Sequence, residues 1–517
     1  MADQALAESN TYNAAEDLIG RNLAAGRGDK TAFIDASGAH TFGDVERGTN
    51  RFAHVLGTMG LSREARVLLV LDDTVDFPIC FLGAMKAGVV SVPANTRSTA
   101  RDYAYIAADC RAEAIIVSEA LLSVVLEEIT PADRPRIVVS GADAHGHALL
   151  AELLAVEPEE FKTVATTRDD MCFWLYTSGT TGGPKGVVHL HSHLIDTADL
   201  YARPVLGINE TDIVYSAAKL FFAYGLGNAL TFPMAVGATA VLLDEPPVPN
   251  VVVDLLRREQ VTIFYGVPTL YGMILAGDDL PGPGEHAIRL CVSAGEALPP
   301  DLLRRWRERT GTDILDGIGT TEMLHIFISN RLGEVHPGTT GRAVDGYELR
   351  LLDDENNEVG PGEIGVLEVS GPTSGLMYWN QRAKTKDTFR GPWTRTGDKY
   401  TRDENGIFTY CGRNDDMLKV GGIYVSPFEV EAALVSHEAV LEAAVVGQLD
   451  QDELVKPKAF VVLNQGVEAS EATAAMLIDF VKNDLAAYKY PRWIEFLEDL
   501  PKTATGKIQR FKLRDDG

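Results

Sequence analysis

The chain has 517 residues, 45% of them hydrophobic and 23% charged, a balance typical of a soluble globular protein with two or more domains. Its formal net charge of −27 argues against nucleic acid or an anionic membrane as a partner, because both repel an acidic surface. A polyanionic ligand must therefore be attracted by local lysines and backbone N–H groups.

The cysteines and the N-terminus predict a cytoplasmic protein. Five cysteines lie far apart without metal-ligand or redox spacing, which is typical of reduced thiols. The first residues have neither the basic region nor the apolar core of a signal peptide. Residues 220–243 carry no charge and are long enough to cross a bilayer, but they contain Gly225, Gly227, Pro233 and Gly237. We therefore expect buried helix and strand around a ligand cavity there.

Short apolar runs alternate with helix-compatible stretches through most of the chain. The runs predict strands at residues 67–71, 114–117, 136–139 and 240–243, with helices at 76–87 and 251–260. This alternation indicates layered α/β subdomains with largely parallel sheets. From residue 344 to 369, Gly and Asp/Asn turns predict a small antiparallel β subdomain.

Residues 412–422 mark the expected domain boundary, which divides the chain into an N-terminal domain at 1–414 and a C-terminal domain at 415–517. The later part predicts helices at 427–436 and 471–485 and strands at 442–446, 459–463 and 494–497. The fold class is thus α/β, with a large N-terminal domain followed by a small, mobile α+β lid.

Two glycine- and hydroxyl-rich turns, at residues 176–186 and 501–510, each contribute one lysine, Lys185 and Lys507. Backbone N–H groups and hydroxyls in such turns suit phosphate oxygens, and a lysine adds positive charge. The first turn is not a P-loop, because Pro184 precedes Lys185 and Gly186 follows it where a magnesium-binding hydroxyl would stand.

Other motifs lie between these turns: Ser293-Ala-Gly-Glu-Ala-Leu, Asp316-Gly-Ile-Gly-Thr-Thr-Glu, Thr394-Arg-Thr-Gly-Asp, and then Arg413. In this order they resemble the acyl-adenylate-forming superfamily of acyl-CoA synthetases, adenylation domains and luciferases, across nearly the whole chain. The resemblance implies that an acid reacts with ATP to give an acyl-AMP, which a thiol then attacks. ATP, Mg²⁺ and coenzyme A would be required.

The resemblance also implies a role for each motif residue. Lys185, Thr321, Glu322 and Lys507 would be catalytic, with Glu322 holding Mg²⁺ and Lys507 stabilising charge during the attack. Relatives commonly have an aromatic residue at the position of Ile318. The residues expected to bind ATP are Thr177, Ser178, Gly179, Thr180, Thr181, Gly182, Gly295, Glu296, Ala297, Asp316, Ile318, Asp398 and Arg413.

The acid is indicated by residues 219–234 and 319–327, which resemble the benzoate–CoA ligase group of the superfamily. Ala223 stands where amino-acid-activating relatives place an acidic residue, so no partner for an ammonium is present. Flat aromatic walls suit a single ring, although core packing alone would also explain these residues. Benzoate and 4-hydroxybenzoate both stay open. The expected pocket residues are Phe222, Ala223, Tyr224, Phe232, Gly319, His325 and Ile326.

For the thiol step, the resemblance makes Asp415 a hinge about which the small domain rotates, withdrawing Lys507. Gly421 and Gly422 would then leave room for the pantetheine arm of CoA. Loading of an aryl acid onto a carrier protein, a phosphotransferase and a non-catalytic binder are the alternatives. A homodimer and acetylation of Lys507 by a lysine acetyltransferase also stay open.

Three histidines, His189, His191 and His193, alternate after the first turn. A metal would need further convergent ligands, which the sequence does not present. We expect these histidines to have structural roles.

Overall fold

The computed structural model describes residues 11–130, 135–177, 184–277, 279–413, 416–420, 423–451, 454–485, 489–502 and 508–514. Short 3₁₀ turns lie at Glu119–Leu121 and Thr321–Met323, and π-helical turns at Ala198–Ala202 and Gly227–Thr231. The helices of these ranges are α1 Ala14–Ala24, α2 Phe42–Thr58, α3 Asp76–Lys86, α4 Ala100–Asp109, α5 Leu122–Leu126, α6 Leu150–Val156, α7 His191–Thr197, α8 Ala223–Leu226, α9 Phe232–Val236, α10 Pro249–Arg258, α11 Pro268–Leu275, α12 Pro300–Thr310, α13 Arg382–Thr388, α14 Pro427–Val435, α15 Glu471–Asp484 and α16 Arg510–Arg514.

Five sheets organise the strands of the described ranges. They are β1 Thr31–Asp35, β2 Gly38–Thr41, β3 Arg66–Val70, β4 Val90–Pro93, β5 Ala112–Ser118, β6 Arg136–Ser140, β7 Ala148–Leu149, β8 Met171–Thr177, β9 Lys185–Leu190, β10 Ile213–Ser216, β11 Thr239–Val241, β12 Ile263–Gly266, β13 Leu290–Ser293, β14 Ile314–Gly319, β15 Ile326–Ser329, β16 Arg342–Ala343, β17 Glu348–Leu352, β18 Gly365–Ser370, β19 Met377–Tyr378, β20 Phe389–Arg390, β21 Trp393–Arg402, β22 Phe408–Arg413, β23 Leu418–Val420, β24 Ile423–Val425, β25 Val440–Leu449, β26 Val455–Leu463 and β27 Trp493–Phe496.

Two large sheets form the body of the molecule, as the alternating pattern predicts. One has nine strands in the order β16-β15-β14-β13-β12-β10-β11-β1-β2, and the other has eight in the order β19-β9-β8-β4-β3-β5-β6-β7. The central strands of both are parallel. Parallel strands buried on both faces need apolar residues throughout, which is why β3 and β5 contain nearly continuous runs of Val, Ile and Leu.

The glycine-rich later part forms the predicted antiparallel subdomain. Its sheet has the order β17-β18-β21-β20, with β22 paired to β21. This sheet extends well beyond residue 369, because β21 and β22 continue it to Arg413.

The last part has two hydrophobic clusters of its own, both made of residues after 417. β25 and β26 pair antiparallel, β26 and β27 pair parallel, and α14 and α15 match the predicted helices. β25 and β26 both begin earlier in the chain than the strands predicted at 442–446 and 459–463. In β26 the extra residues include Lys456, Pro457 and Lys458, which an apolar pattern does not detect.

Residues 220–243 form α8, a π-helical turn, α9 and β11, and most of their side chains are buried. Within the described ranges, no helix is long and apolar enough to cross a membrane.

Candidate active site

The ends of the first glycine-rich turn meet across a hairpin. β8 and β9 pair antiparallel, with Thr177 opposite Lys185, so the turn leaves and re-enters the sheet at one point. Ser178, Gly179, Thr180, Thr181 and Gly182 lie outside the described residues. The Lys185 ammonium is 4.5 Å from the centroid of the Tyr378 ring. Burial lowers the pKa of Lys185, and the charge of Glu322 acts in the opposite direction.

Thr321 and Glu322 lie in the 3₁₀ turn that follows β14. The Glu322 Oε1 atom accepts a hydrogen bond of 2.5 Å from the Tyr378 hydroxyl, and its main-chain oxygen accepts one of 2.7 Å from the Gly375 N–H. The segment carrying Gly375 and Tyr378 thus holds Glu322 through both its side chain and its main chain.

A pair of neutral histidines holds Thr321. His189 Nε2 is 2.8 Å from the Thr321 main-chain oxygen, and His189 Nδ1 is 3.0 Å from His193 Nδ1. Burial lowers the pKa of His189 to about 4, so the ring carries one proton at neutral pH. Since a carbonyl oxygen only accepts, that proton is on Nε2, and Nδ1 of His189 carries none.

His191 has a different structural contact, because its Nδ1 accepts from the Ala14 N–H at 3.2 Å. The part of the chain that the structure describes contains no cluster of three or more His, Cys, Asp or Glu residues able to hold a metal.

The expected adenine site lies where two parallel strands end. β13 and β14 are neighbours, with Ser293 opposite Asp316, and the loop with Gly295, Glu296 and Ala297 follows β13 directly. Burial raises the pKa of Asp316 well above its usual range. Its Oδ1 has no hydrogen-bond partner among the described residues, which is the arrangement expected of an atom that meets a ligand donor. Ile318, further along β14, is half-buried.

Asp398 and Arg413 lie directly opposite each other on β21 and β22. The Arg413 Nη1 donates to Asp398 Oδ1 at 3.1 Å, and Asp398 holds the pKa of this guanidinium above its usual range. The charge of Glu322 acts on Arg413, and that of Arg413 acts on Lys185. We call Lys185, Glu322, Tyr378, Asp398 and Arg413 the phosphate side of the site.

Tyr201, Tyr224 and Phe232 pack around the ring of His325. We call these four residues the ring side. The His325 centroid lies 4.5 Å from that of Phe232, 5.6 Å from that of Tyr201 and 5.7 Å from that of Tyr224. No charged side chain belongs to this group. Tyr201, in a π-helical turn, is a member that the sequence did not reveal, because no local motif marks it.

His325 is uncharged and has a defined tautomer. Its Nε2 is 3.2 Å from Asn228 Oδ1 and 3.3 Å from the Tyr224 main-chain oxygen, and burial lowers its pKa to about 3. Both partners are acceptors, so Nε2 carries the proton and Nδ1 is an acceptor. Among the described residues, Nδ1 has no hydrogen-bond partner.

The remaining expected pocket residues lie around these rings. Phe222 and Ala223 are half-buried, and Phe222 packs on Phe221 with centroids 4.4 Å apart. Ile326 is buried on β15 beside Gly319, where a side-chain Cβ would come within 2.5 Å of the His325 backbone. Glycine is therefore required at 319 by close backbone approach.

Two runs of the expected site are partly exposed. Residues 222–224 and 318–322 are half-buried, although the residues flanking each run are buried. Lys507, Asp415, Gly421 and Gly422 lie outside the described residues. Tyr378 belongs to the site but was missed, because its segment contains no catalytic motif.

The chain belongs to the AMP-binding enzyme family, whose model matches residues 21–379, and the model of the AMP-binding enzyme C-terminal domain matches residues 429–507. This confirms the resemblance to the acyl-adenylate-forming superfamily and its fold. The chain is 58% identical to a benzoate–CoA ligase of Thauera aromatica, over 97% of this chain and 96% of that protein. It is 49% identical to a 4-hydroxybenzoate–CoA/benzoate–CoA ligase of Rhodopseudomonas palustris, over 98% and 94%. A benzoate CoA ligase structure from Burkholderia xenovorans superposes with a TM-score of 0.92 at 51% identity, covering 97% of this chain and 100% of that one.

Proposed function

We propose that this protein is an aryl acid–CoA ligase that converts benzoate, ATP and CoA into benzoyl-CoA, AMP and pyrophosphate. The carboxylate attacks the α-phosphorus of ATP, pyrophosphate leaves, and the CoA thiol then displaces AMP from benzoyl-AMP. Family membership and the 58% identical benzoate–CoA ligase support this assignment.

The observation that carries the proposal is the uncharged ring side next to the charged phosphate side. A benzoate ring would find aromatic walls and a neutral His325, while its carboxylate would face the turn with Thr321 and Glu322. Stacked and edge-on rings favour a flat aromatic ligand over an alkyl chain. The absence of charge in this four-ring group disfavours an amino acid, whose ammonium would be left unpaired.

For adenylation, we assign Lys185 and the turn from Thr177 to the β- and γ-phosphates, and Thr321 to the α-phosphate. Asp398 and Arg413 are assigned to the ribose hydroxyls. Glu322 fits a magnesium ion, because Mg²⁺ is usually held by one or two carboxylates together with substrate phosphates. When bound, the ion would neutralise phosphate charge. Glu322 Oε2 accepts no hydrogen bond from the described residues and is available for that purpose.

We place the domain boundary at 414/415, with domains at 1–414 and 415–517. A hydrophobic core drawn only from residues after 417 supports this division. The segment following Lys507 is anchored to the small domain, because Arg510 donates to both oxygens of Glu431 at 2.8 and 3.0 Å. Arg510 also lies 3.9 Å from Asp416, next to the proposed hinge Asp415. Rotation of the small domain about Asp415 would withdraw Lys507 from the active site and bring Gly421 and Gly422 to it.

We also propose a cytoplasmic location, which the five free and buried cysteines support. Homodimerisation and acetylation of Lys507 stay predictions.

The second candidate substrate is 4-hydroxybenzoate. His325 Nδ1 is a buried acceptor without a partner among the described residues, and a ring hydroxyl is a donor. A relative at 49% identity carries both activities in its name.

The test is AMP formation with ATP, Mg²⁺ and CoA across benzoate, 4-hydroxybenzoate, cinnamate, hexanoate and phenylalanine. We expect strong turnover of benzoate and weak turnover of hexanoate. A higher kcat/KM for 4-hydroxybenzoate would favour the second candidate. Preference for hexanoate or cinnamate would contradict the ring-side assignment, and no AMP with any acid would contradict the enzymatic function.

A further inference from the structure

Residues 375–379 connect Lys185 and Glu322, the two members of the phosphate side assigned to the phosphates and to Mg²⁺. The Gly375 N–H donates to the Glu322 main-chain oxygen at 2.7 Å, and the Trp379 N–H donates to the Gly186 oxygen at 2.8 Å. Between them, Tyr378 pairs with Val187 on β9, two residues after Lys185. The segment thus spans from the end of the phosphate-binding turn to the turn with Glu322.

The side chain of Tyr378 contacts both functional groups. Its ring centroid is 4.5 Å from the Lys185 ammonium, and its hydroxyl donates to Glu322 Oε1 at 2.5 Å. Tyr378 is only 3% exposed, so these contacts are shielded from water. A cation near an aromatic face and a hydroxyl bonded to a carboxylate both become stronger when they are desolvated.

One buried side chain therefore fixes the positions of a positive and a negative group on opposite sides of itself. Without it, Lys185 and Glu322 would attract each other directly, because Glu322 already raises the pKa of Lys185 against the effect of burial. A direct ion pair would occupy both groups and oppose phosphate and magnesium binding. The tyrosine separates the two charges and orients the carboxylate through one of its oxygens.

We propose that Tyr378 is a positioning residue for Mg²⁺–ATP: its hydroxyl orients Glu322 toward the ion, and its ring holds Lys185 for the phosphates. This inference rests on the proposed function for the assignment of Lys185 and Glu322 to ATP and Mg²⁺. Loss of an outer partner of a metal-binding carboxylate typically costs about 10- to 100-fold in metal affinity or activity.

The test is equilibrium ATP binding by calorimetry, without acid or CoA, at increasing Mg²⁺ concentration. Tyr378→Phe keeps the ring and removes the hydroxyl, so we expect the Mg²⁺ concentration for half-maximal tight binding to rise by about 10-fold or more. Magnesium-free ATP binding should stay within about 2-fold of wild type. Tyr378→Leu removes the ring as well, and should weaken magnesium-free ATP binding in addition.

Tyr103→Phe is the matched control, because Tyr103 is a buried tyrosine on α4 whose hydroxyl donates to the Asn95 main-chain oxygen at 2.8 Å. It should lower the melting temperature without changing the Mg²⁺ titration. If Tyr378→Phe gives the wild-type titration, Tyr378 has only a structural role and the inference is wrong. If the wild-type protein binds Mg²⁺–ATP in this way but forms no benzoyl-AMP, the proposed substrate is wrong and the role of Tyr378 stands.

Discussion

The phosphate side and the ring side differ in charge. On the phosphate side, Lys185, Glu322, Asp398 and Arg413 act on one another through charge. On the ring side, the ionisable group His325 is kept neutral by burial. Under the proposed function, the phosphate side would respond to charge that develops during the reaction, whereas the ring side would recognise the shape of the acid.

This difference predicts that substitutions on the two sides have different effects on activity. A change on the phosphate side should reduce turnover of every acid, because the groups there are assigned to ATP under the proposed function. A change on the ring side should alter which acid is accepted while ATP binding is preserved. The predictions that follow test this division.

The largest effect is expected from Lys507→Ala, which removes the lysine expected to stabilise charge while the carboxylate attacks ATP. Adenylation should fall by about 100- to 1,000-fold for every acid, as when one stabilising donor is removed from a transition state. Thioester formation from supplied benzoyl-AMP should be spared, because the lysine would be withdrawn for that step. Pyrophosphate release and CoA consumption measure the two half-reactions separately. Lys482→Ala, on α15, is the control; equal loss in both half-reactions would contradict the division of labour.

The sequence predicted the fold well because its signals are local and periodic. The apolar runs at 114–117 and 136–139 became β5 and β6 of a parallel sheet, and residues 471–485 became α15. The confirmed resemblance covers the whole architecture. Strand ends were less well predicted, as in β26, where lysines and a proline continue the ladder.

The site was only partly predictable, because some of its contacts arise from tertiary packing. Tyr201 and Tyr378 are distant in sequence from the motifs that they meet, and neither stands in a recognisable pattern. The histidine chain from His193 through His189 to Thr321 depends on β9 lying beside the turn after β14. The roles assigned to Lys507, Asp415, Gly421 and Gly422 stay predictions.

A smaller, ring-side effect is expected from Gly227→Ala. The new Cβ would lie 2.3 Å from His325 Cδ2 and 3.1 Å from Phe232 Cζ, so the rings must shift. We expect the KM for benzoate to rise by about 10-fold, because the displaced rings would no longer fit the substrate ring. The KM for ATP should change little. Gly57→Ala on α2 is a matched control, because its Cβ would enter open space. An equal rise in both KM values would show that the two sides are not independent.

The smallest effect concerns stability and follows from the neutral state of His325. Its pKa is lowered from 6.5 to about 3 in the folded protein, so the unfolded chain binds more protons between these values. The stabilising contribution is therefore complete above about pH 6.5 and is lost as the pH falls, by about 2 kcal/mol between pH 7 and pH 5. His325→Gln removes this titration, while its amide can still donate to Asn228 or Tyr224. In urea unfolding, the free energy of unfolding should fall less between pH 7 and pH 5 in the variant than in wild type.

His145→Gln, at an exposed histidine, is the control for this experiment. Because the other histidines titrate equally in both proteins, identical pH dependence would mean that His325 accepts a proton in the folded state, and the ring side would then not be uncharged.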